Sequence, residues 1–198
     1  MAVAEHDVEI VAGLGEHTHR FALNLKQPIS AEAYDYRAGR RLKEHTHRVA
    51  QLVYATSGTM SVTTEHGVFV VPPQRAVWIP PDTPHTIDML SDVSMRTVYL
   101  TRERSNQFRA ECCVVAVSGL LQHLILAAVD LPENYRLIGK HKALIVLLLE
   151  EIRTLDQIPL HLKDPTDRRL LRITRSLKNN PSDNHSLAHW AMIGRSGY

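Results

Sequence analysis

A mainly β domain followed by C-terminal helices is what three features of the 198-residue chain predict. Between Ile29 and Leu100, short runs of β-forming residues alternate with turn residues at regular spacing. From Ser118 to Leu155 the apolar residues switch to helical spacing. After Ile158 come a Pro-marked linker and two short segments with helix-start residues.

Taken in order, the first thirty residues mix apolar pieces with Gly13, Gly15 and Pro28 and read as loose structure or an edge strand. The pentapeptide Glu-His-Thr-His-Arg occurs at 16–20 and again at 44–48. The first copy raises a second metal site at His17 and His19. With no third ligand and no flanking strand pattern, it reads instead as coincidence on an exposed segment. Ala50 to Ala55 is a strand ending at Thr56-Ser57-Gly58, and Thr59 to Thr64 puts Met60, Val62 and Thr64 on one face before the Glu65-His66-Gly67 turn. Val68 to Val71 and Ala76 to Ile79 follow, interrupted by Pro72-Pro73. His85, Ile87 and Met89 share a face of the next strand, and Met95, Thr97 and Tyr99 a face of the one after. Strands so spaced predict a sandwich or barrel.

Thr101 to Ala110 reads as a charged loop, and Cys112 to Val117 as one more strand. Ser118 is placed to cap a helix in which Leu120, Leu121, Leu124, Ile125 and Ala128 recur with helical spacing. A second helix, about His141 to Leu155, is apolar almost all round, so it needs cover from its own barrel or from a second subunit. Beyond the linker, Asp164 as N-cap and Pro165 at the first helical position open a helix through Leu170, Ile173 and Leu177. Ser186 caps another carrying Leu187, Ala188 and Ala191.

Composition narrows the classes. A 44% hydrophobic share fills a core, and a net charge of +2 gives no global basic field for nucleic acid. Cys112 and Cys113 are adjacent in an apolar run, where a mutual disulfide would be strained, so they read as buried reduced thiols. The N-terminus lacks a basic region followed by an apolar one, and no run approaches the roughly 18 apolar residues of a membrane span. A cytoplasmic, non-membrane protein is expected.

The chemistry concentrates in Gly39 to Gly58 and in Pro80-Pro81-Asp82-Thr83-Pro84-His85. Read as one extended segment, the first stretch places His45, His47, Val49, Gln51 and Val53 on one face. Paired neutral imidazoles on a strand suit Zn, Ni, Cu or Fe. Tyr54, Met60, Trp78 and Met89 are candidates to line an effector pocket, against the alternative that such residues are plain core.

These two segments resemble the cupin motifs. Gly39, His45, His47 and Gly58 match the first motif, with Gln51 where the family usually has Glu. Pro80 and His85 match the second, with Gln74, Asp82 and Met89 in place of Gly, Gly and Asn. The resemblance implies a cupin-like β-barrel (jelly roll). It makes His45, His47 and His85 the metal ligands and Gln51 a fourth, for a divalent transition metal such as Ni, Zn, Fe or Mn.

Barrel, two apolar helices, linker, then Asp-Pro-x-x-Arg-Arg-Leu and Leu-Ala-x-Trp-Ala together resemble an AraC/XylS-type transcriptional regulator. That resemblance implies a sensor barrel at 1–115, a helical dimerisation segment at 116–158, and at 159–198 a linker with the start of a helix-turn-helix domain. The expected partners are a second copy in a homodimer, a small-molecule or metal effector, and promoter DNA for the full-length parent. No recognition helix follows Ser196, so DNA-contacting residues are not assigned and this chain is expected to bind DNA weakly or not at all. No catalytic residues are assigned. The alternative is a stand-alone metal-dependent cupin enzyme, a dioxygenase or isomerase. Against it, no acid-base pair stands out near the motifs, and an enzyme would not need the linker and helix-turn-helix opening.

Overall fold

In a computed structural model the described residues are 25, 27–158, 161–162, 167–179 and 183–195. His17 and His19, the Asp164-Pro165 helix start and Tyr198 lie outside them. The strands are β1 (Ile29–Tyr36), β2 (Arg41–His45), β3 (Ala50–Ser57), β4 (Met60–Thr64), β5 (Gly67–Val71), β6 (Arg75–Ile79), β7 (His85–Met89) and β8 (Val93–Leu100). A short helix α1 (Arg102–Ser105) follows, then β9 (Cys113–Ala116), α2 (Gly119–Val129), α3 (Gly139–Arg153), β10 (Gln157–Ile158), β11 (His161–Leu162), α4 (Arg168–Asn179) and α5 (Leu187–Arg195).

Two antiparallel sheets face each other, a six-stranded one in the order β1-β8-β3-β6-β9-β10 and a five-stranded one in the order β11-β5-β4-β7-β2. Alternation along each strand divides the apolar residues into two cores. Val53, Ala55, Val77, Ile79 and Met95 of the larger sheet meet Leu42, Met60, Val62, Phe69, Ile87 and Met89 of the smaller one inside the barrel. The opposite face of the larger sheet, with Ala50, Leu52, Tyr54, Ala76, Trp78, Val98 and Leu100, packs under Leu121, Leu124 and Ile125 of α2 and Ile145, Leu148 and Ile152 of α3. Being covered on both sides, β3 is buried at six consecutive residues.

The helices begin where their sequences dictate. Ser118 Oγ accepts from the Leu121 N–H at 3.0 Å, capping α2, and its hydroxyl donates to Glu151 of α3, also at 3.0 Å. On α3, Val146 and Leu147 remain exposed. Two readings change. The charged loop after Leu100 contains α1, whose N-cap Thr101 accepts from the Arg104 N–H. The segment read as a linker from Ile158 is not free of the barrel. Gln157 and Ile158 pair with β9, and His161 and Leu162 pair with β5, so one stretch of chain edges both sheets. Of the last two helices, α4 opens after Asp167, whose carboxylate accepts from the Arg169 N–H at 2.8 Å. In α5 Ser186 Oγ accepts from the His189 N–H, and Trp190 is buried.

No helix among the described residues is long and apolar enough to cross a membrane. Cys112 and Cys113 are free thiols, and burial pushes the Cys112 thiol up to about 12, so neither is poised to react at neutral pH.

Candidate functional site

The three histidines come together by a route that simple alternation does not give. His45 ends β2 in the smaller sheet, Thr46–Val49 carries the chain across, and Gln51 lies on β3 in the larger sheet. The segment is therefore two strands in opposite sheets rather than one. Within β2 the register shifts between Leu42 and His45, so both point inward although they are three residues apart, while Lys43 and Glu44 stay exposed. His85 begins β7 directly opposite His45.

The imidazole centroids lie 4.3 Å apart for His45 and His85, 5.0 Å for His47 and His85, and 5.3 Å for His45 and His47. One nitrogen from each ring can be chosen so that all three lie within 4.8 Å of one another. His47 and His85 are 3% and 1% exposed. Nδ1 of His45 lies 2.7 Å from the Lys43 carbonyl, and Nδ1 of His85 lies 2.9 Å from the Thr83 carbonyl. A carbonyl only accepts, so each Nδ1 carries the hydrogen and each Nε2 presents its lone pair. Nε2 of His85 is buried with no hydrogen-bond partner among the described residues. Burial, then the neighbouring His45, pushes His85 down to about 3, so it is neutral and ligand-competent at pH 7.

Gln51 is 2% exposed, and its Nε2 donates to Thr97 Oγ1 at 2.9 Å and to the Tyr99 hydroxyl at 3.4 Å. Its Oε1 is buried without a hydrogen-bond partner among the described residues. The Tyr99 ring stands edge-on to His47 at 5.5 Å. The donor set, three neutral imidazoles and an amide oxygen, fits a borderline transition metal. Thr97 and Tyr99 were not among the candidate site residues of the sequence. Their shared parity with Met95 was the available signal.

The turns explain the partial second motif. Gln74 and Asp82 stand where that motif has glycine, and they are the two non-glycine residues with positive φ among those described, at 63° and 59°. The backbone keeps the left-handed turns although the side chains have changed. Asp82 donates its N–H to the His47 carbonyl at 2.7 Å, and its carboxylate pairs with Arg102 at the start of α1.

The four candidate effector residues do not share a pocket. Met60 and Met89 face the barrel interior, whereas Tyr54 and Trp78 lie on the far face of the larger sheet under the helices. Tyr54 is offset by an odd number from Gln51 and Val53, so alternation turns it outward. The Trp78 indole donates to the Arg109 carbonyl at 2.8 Å.

Residues 28–138, more than half of the chain, match the AraC-like ligand binding domain family. The HTH-type transcriptional regulator NimR of Escherichia coli (strain K12) is 27% identical over 180 residues, covering 87% of this chain and 66% of NimR. The chain thus spans a little under two thirds of that relative's length. Among solved structures, ToxT from Vibrio cholerae aligns with TM-score 0.45 at 10% identity, over 86% of this chain and 72% of ToxT. A cupin superfamily protein from Desulfitobacterium hafniense aligns with TM-score 0.36 at 15% identity, over 37% of this chain and 68% of its own.

Proposed function

The chain belongs to the AraC-like ligand binding domain family, and on that premise we propose that it is the sensor and dimerisation part of a DNA-binding transcriptional regulator. The observation that carries the reading is the meeting of His45, His47 and His85 inside the barrel. On this reading the three Nε2 atoms hold a divalent transition metal, Ni, Zn, Fe or Mn, with Gln51 Oε1 as a fourth donor. A bound metal would supply a positive, Lewis-acidic anchor for an effector. The protein's own share is to keep Nδ1 of His45 and His85 on backbone carbonyls and Gln51 on Thr97 and Tyr99, so that the lone pairs stay aimed.

Residues 1–115 would sense, 116–158 would pair two copies, and 159–198 would lead into the DNA-binding region. We read the barrel as a binding module rather than an enzyme, in the cytoplasm. Effector binding would act by favouring one arrangement of barrel and helices over another. The short strands β10 and β11 support this reading, because they tie the route to α4 into both sheets.

Elemental analysis of untagged protein purified without chelator tests it, beside a His47→Ala, His85→Ala double variant. Near-stoichiometric metal in the parent and none in the variant is expected. No metal in either, after loading with Ni, Zn, Fe and Mn, would overturn the metal reading. Fluorescence anisotropy with promoter DNA should show weak, salt-sensitive binding at most for this chain.

A further inference from the structure

A cavity of about 360 Å³ lies outside the barrel, where the chain turns from α2 into α3. That volume falls in the range of small-molecule pockets. Pro132, Tyr135 and Ile138 make its walls chiefly apolar, and Arg136, Lys140 and His141 line it with basic groups. No carboxylate lines it.

The fold holds these walls in place. Tyr135 is 5% exposed, and its hydroxyl donates to the Ile29 carbonyl on β1 at 2.9 Å, which pins the turn to the larger sheet. The His141 ring stands edge-on to the Tyr135 ring, with centroids 6.3 Å apart and planes at 87°. Two backbone bonds shape the rest: the Tyr135 N–H donates to the Pro132 carbonyl at 2.9 Å, and the Ile138 N–H to the Arg136 carbonyl at 2.8 Å.

The charge around the cavity is one-sided. Elsewhere Arg37, Arg41, Arg96 and Arg102 each pair with an aspartate, whereas Arg136 and Lys140 make no ion pair among the described residues. The first turn of α3 adds to the imbalance. It carries Lys140, His141 and Lys142 and no acidic residue, so its basic side chains sit at the positive end of the helix instead of compensating it. An anion in the cavity would relieve this repulsion. A guanidinium fork and an ammonium together suit the several oxygens of a phosphate, and the apolar walls suit a body attached to it.

We propose that this cavity binds a phosphomonoester with a compact apolar or aromatic body. The phosphate meets Arg136, Lys140 and His141, and the body meets Pro132, Tyr135 and Ile138. The site is separate from the histidine cluster and does not rest on metal binding there.

Phenyl phosphate, inorganic phosphate and phenol separate the contributions. Each is titrated calorimetrically into the full chain, into an Arg136→Gln, Lys140→Gln double variant, and into Arg153→Gln, which removes a cation roughly 20 Å along α3 from Lys140. All are treated with chelator first, so that no cation at the histidine cluster captures phosphate. Phenyl phosphate is expected to bind at least 10-fold more tightly than inorganic phosphate or phenol. The double variant should lose at least 10-fold in phenyl phosphate affinity and keep its affinity for phenol, while Arg153→Gln matches the parent. Arg136 and Lys140 are exposed, so a parent-like thermal melt is expected and shows that the double variant is folded. Inorganic phosphate that binds as tightly as phenyl phosphate, equal losses in the double variant and Arg153→Gln, or no binding of phenyl phosphate to the parent would each overturn the site. Elemental analysis reads the metal site separately, so either proposal can fail alone.

Discussion

The backbone N–H of Asp82 donates to the carbonyl of His47 at 2.7 Å, from a residue held at φ 59°. That bond ties the turn before His85 to the crossing segment that carries His47, so two histidines from different parts of the chain share one support. A glycine meets the backbone demand at this position, whereas proline removes the N–H and cannot reach positive φ. Asp82→Gly should therefore melt close to the parent, since the exposed pair with Arg102 contributes about 0–1 kcal/mol. Asp82→Pro should cost about 3 kcal/mol or more and weaken metal binding at least tenfold. Metal titration and thermal melts of the two variants check this, and parent-like metal affinity in Asp82→Pro would remove the turn from the site.

Gly39 and Gly58 both sit at positive φ, 80° and 78°, but their surroundings differ. A Cβ on Gly58 would collide with the Asp92 backbone carbonyl, and one on Gly39 would meet nothing within 4 Å among the described residues. Gly39→Ala should cost only the backbone term of about 1–2 kcal/mol. Gly58→Ala should cost about 3 kcal/mol or more, because backbone at the turn after β3 must also move. Equal urea midpoints for the two variants would contradict this.

The buried His85 gives metal-free protein a signed dependence on pH. Its folded value of about 3 lies below the ordinary 6.5, so the unfolded chain takes up the proton first. The stabilisation from the neutral ring is fully present above about pH 6.5 and is lost as pH falls from there toward 3, by up to about 1.4 kcal/mol per unit. Urea unfolding of chelator-treated protein at pH 8, 6 and 5 should show the fall. His85→Gln should flatten it.

The exposed apolar residues of the helical layer predict self-association. Leu120 on α2 is 49% exposed, and Val146 and Leu147 on α3 are 51% and 43% exposed. A double Val146→Glu, Leu147→Glu variant should sediment as a monomer where the parent sediments as a dimer, with an unchanged far-ultraviolet spectrum. A parent that is monomeric at micromolar concentration would end the dimer proposal.

Much of this architecture was legible because local chemistry and tertiary role agree. Alternation gave the inward residues of β4, β7 and β8, and Ser118 marked the start of α2 without help from packing. The route of the first motif was not legible. Leu42 and His45 differ in parity, and only a register shift in β2 turns both inward, which no residue type between them announces. Tyr54 and Trp78 were readable but misassigned: aromatic residues suggested a pocket, while alternation with Gln51 and Val53 already put Tyr54 on the other face. The strands β10 and β11 are two residues each, and the apolar pieces around Pro159 carry no period that separates a paired edge from a linker. At Gln74 and Asp82 the missing glycines weakened the motif in sequence, yet the fold keeps its positive φ there.

Gln51 decides how strongly the cluster could hold a cation. Its amide is neutral, it is 2% exposed, and its Oε1 is buried without a hydrogen-bond partner among the described residues. Gln51→Glu keeps the shape and supplies a carboxylate, which the hydroxyls of Thr97 and Tyr99 can meet by donating instead of accepting. In metal-free protein that buried charge should cost about 1–3 kcal/mol. A divalent cation held by the histidines would compensate it, so the variant should bind Ni or Zn at least tenfold more tightly and regain its melting temperature on loading. Competition against a chromophoric chelator and melts with and without metal read the two effects separately. Destabilisation with no gain in metal affinity would mean that Gln51 serves the interior of the barrel through Thr97 and Tyr99 and that the three histidines act without it.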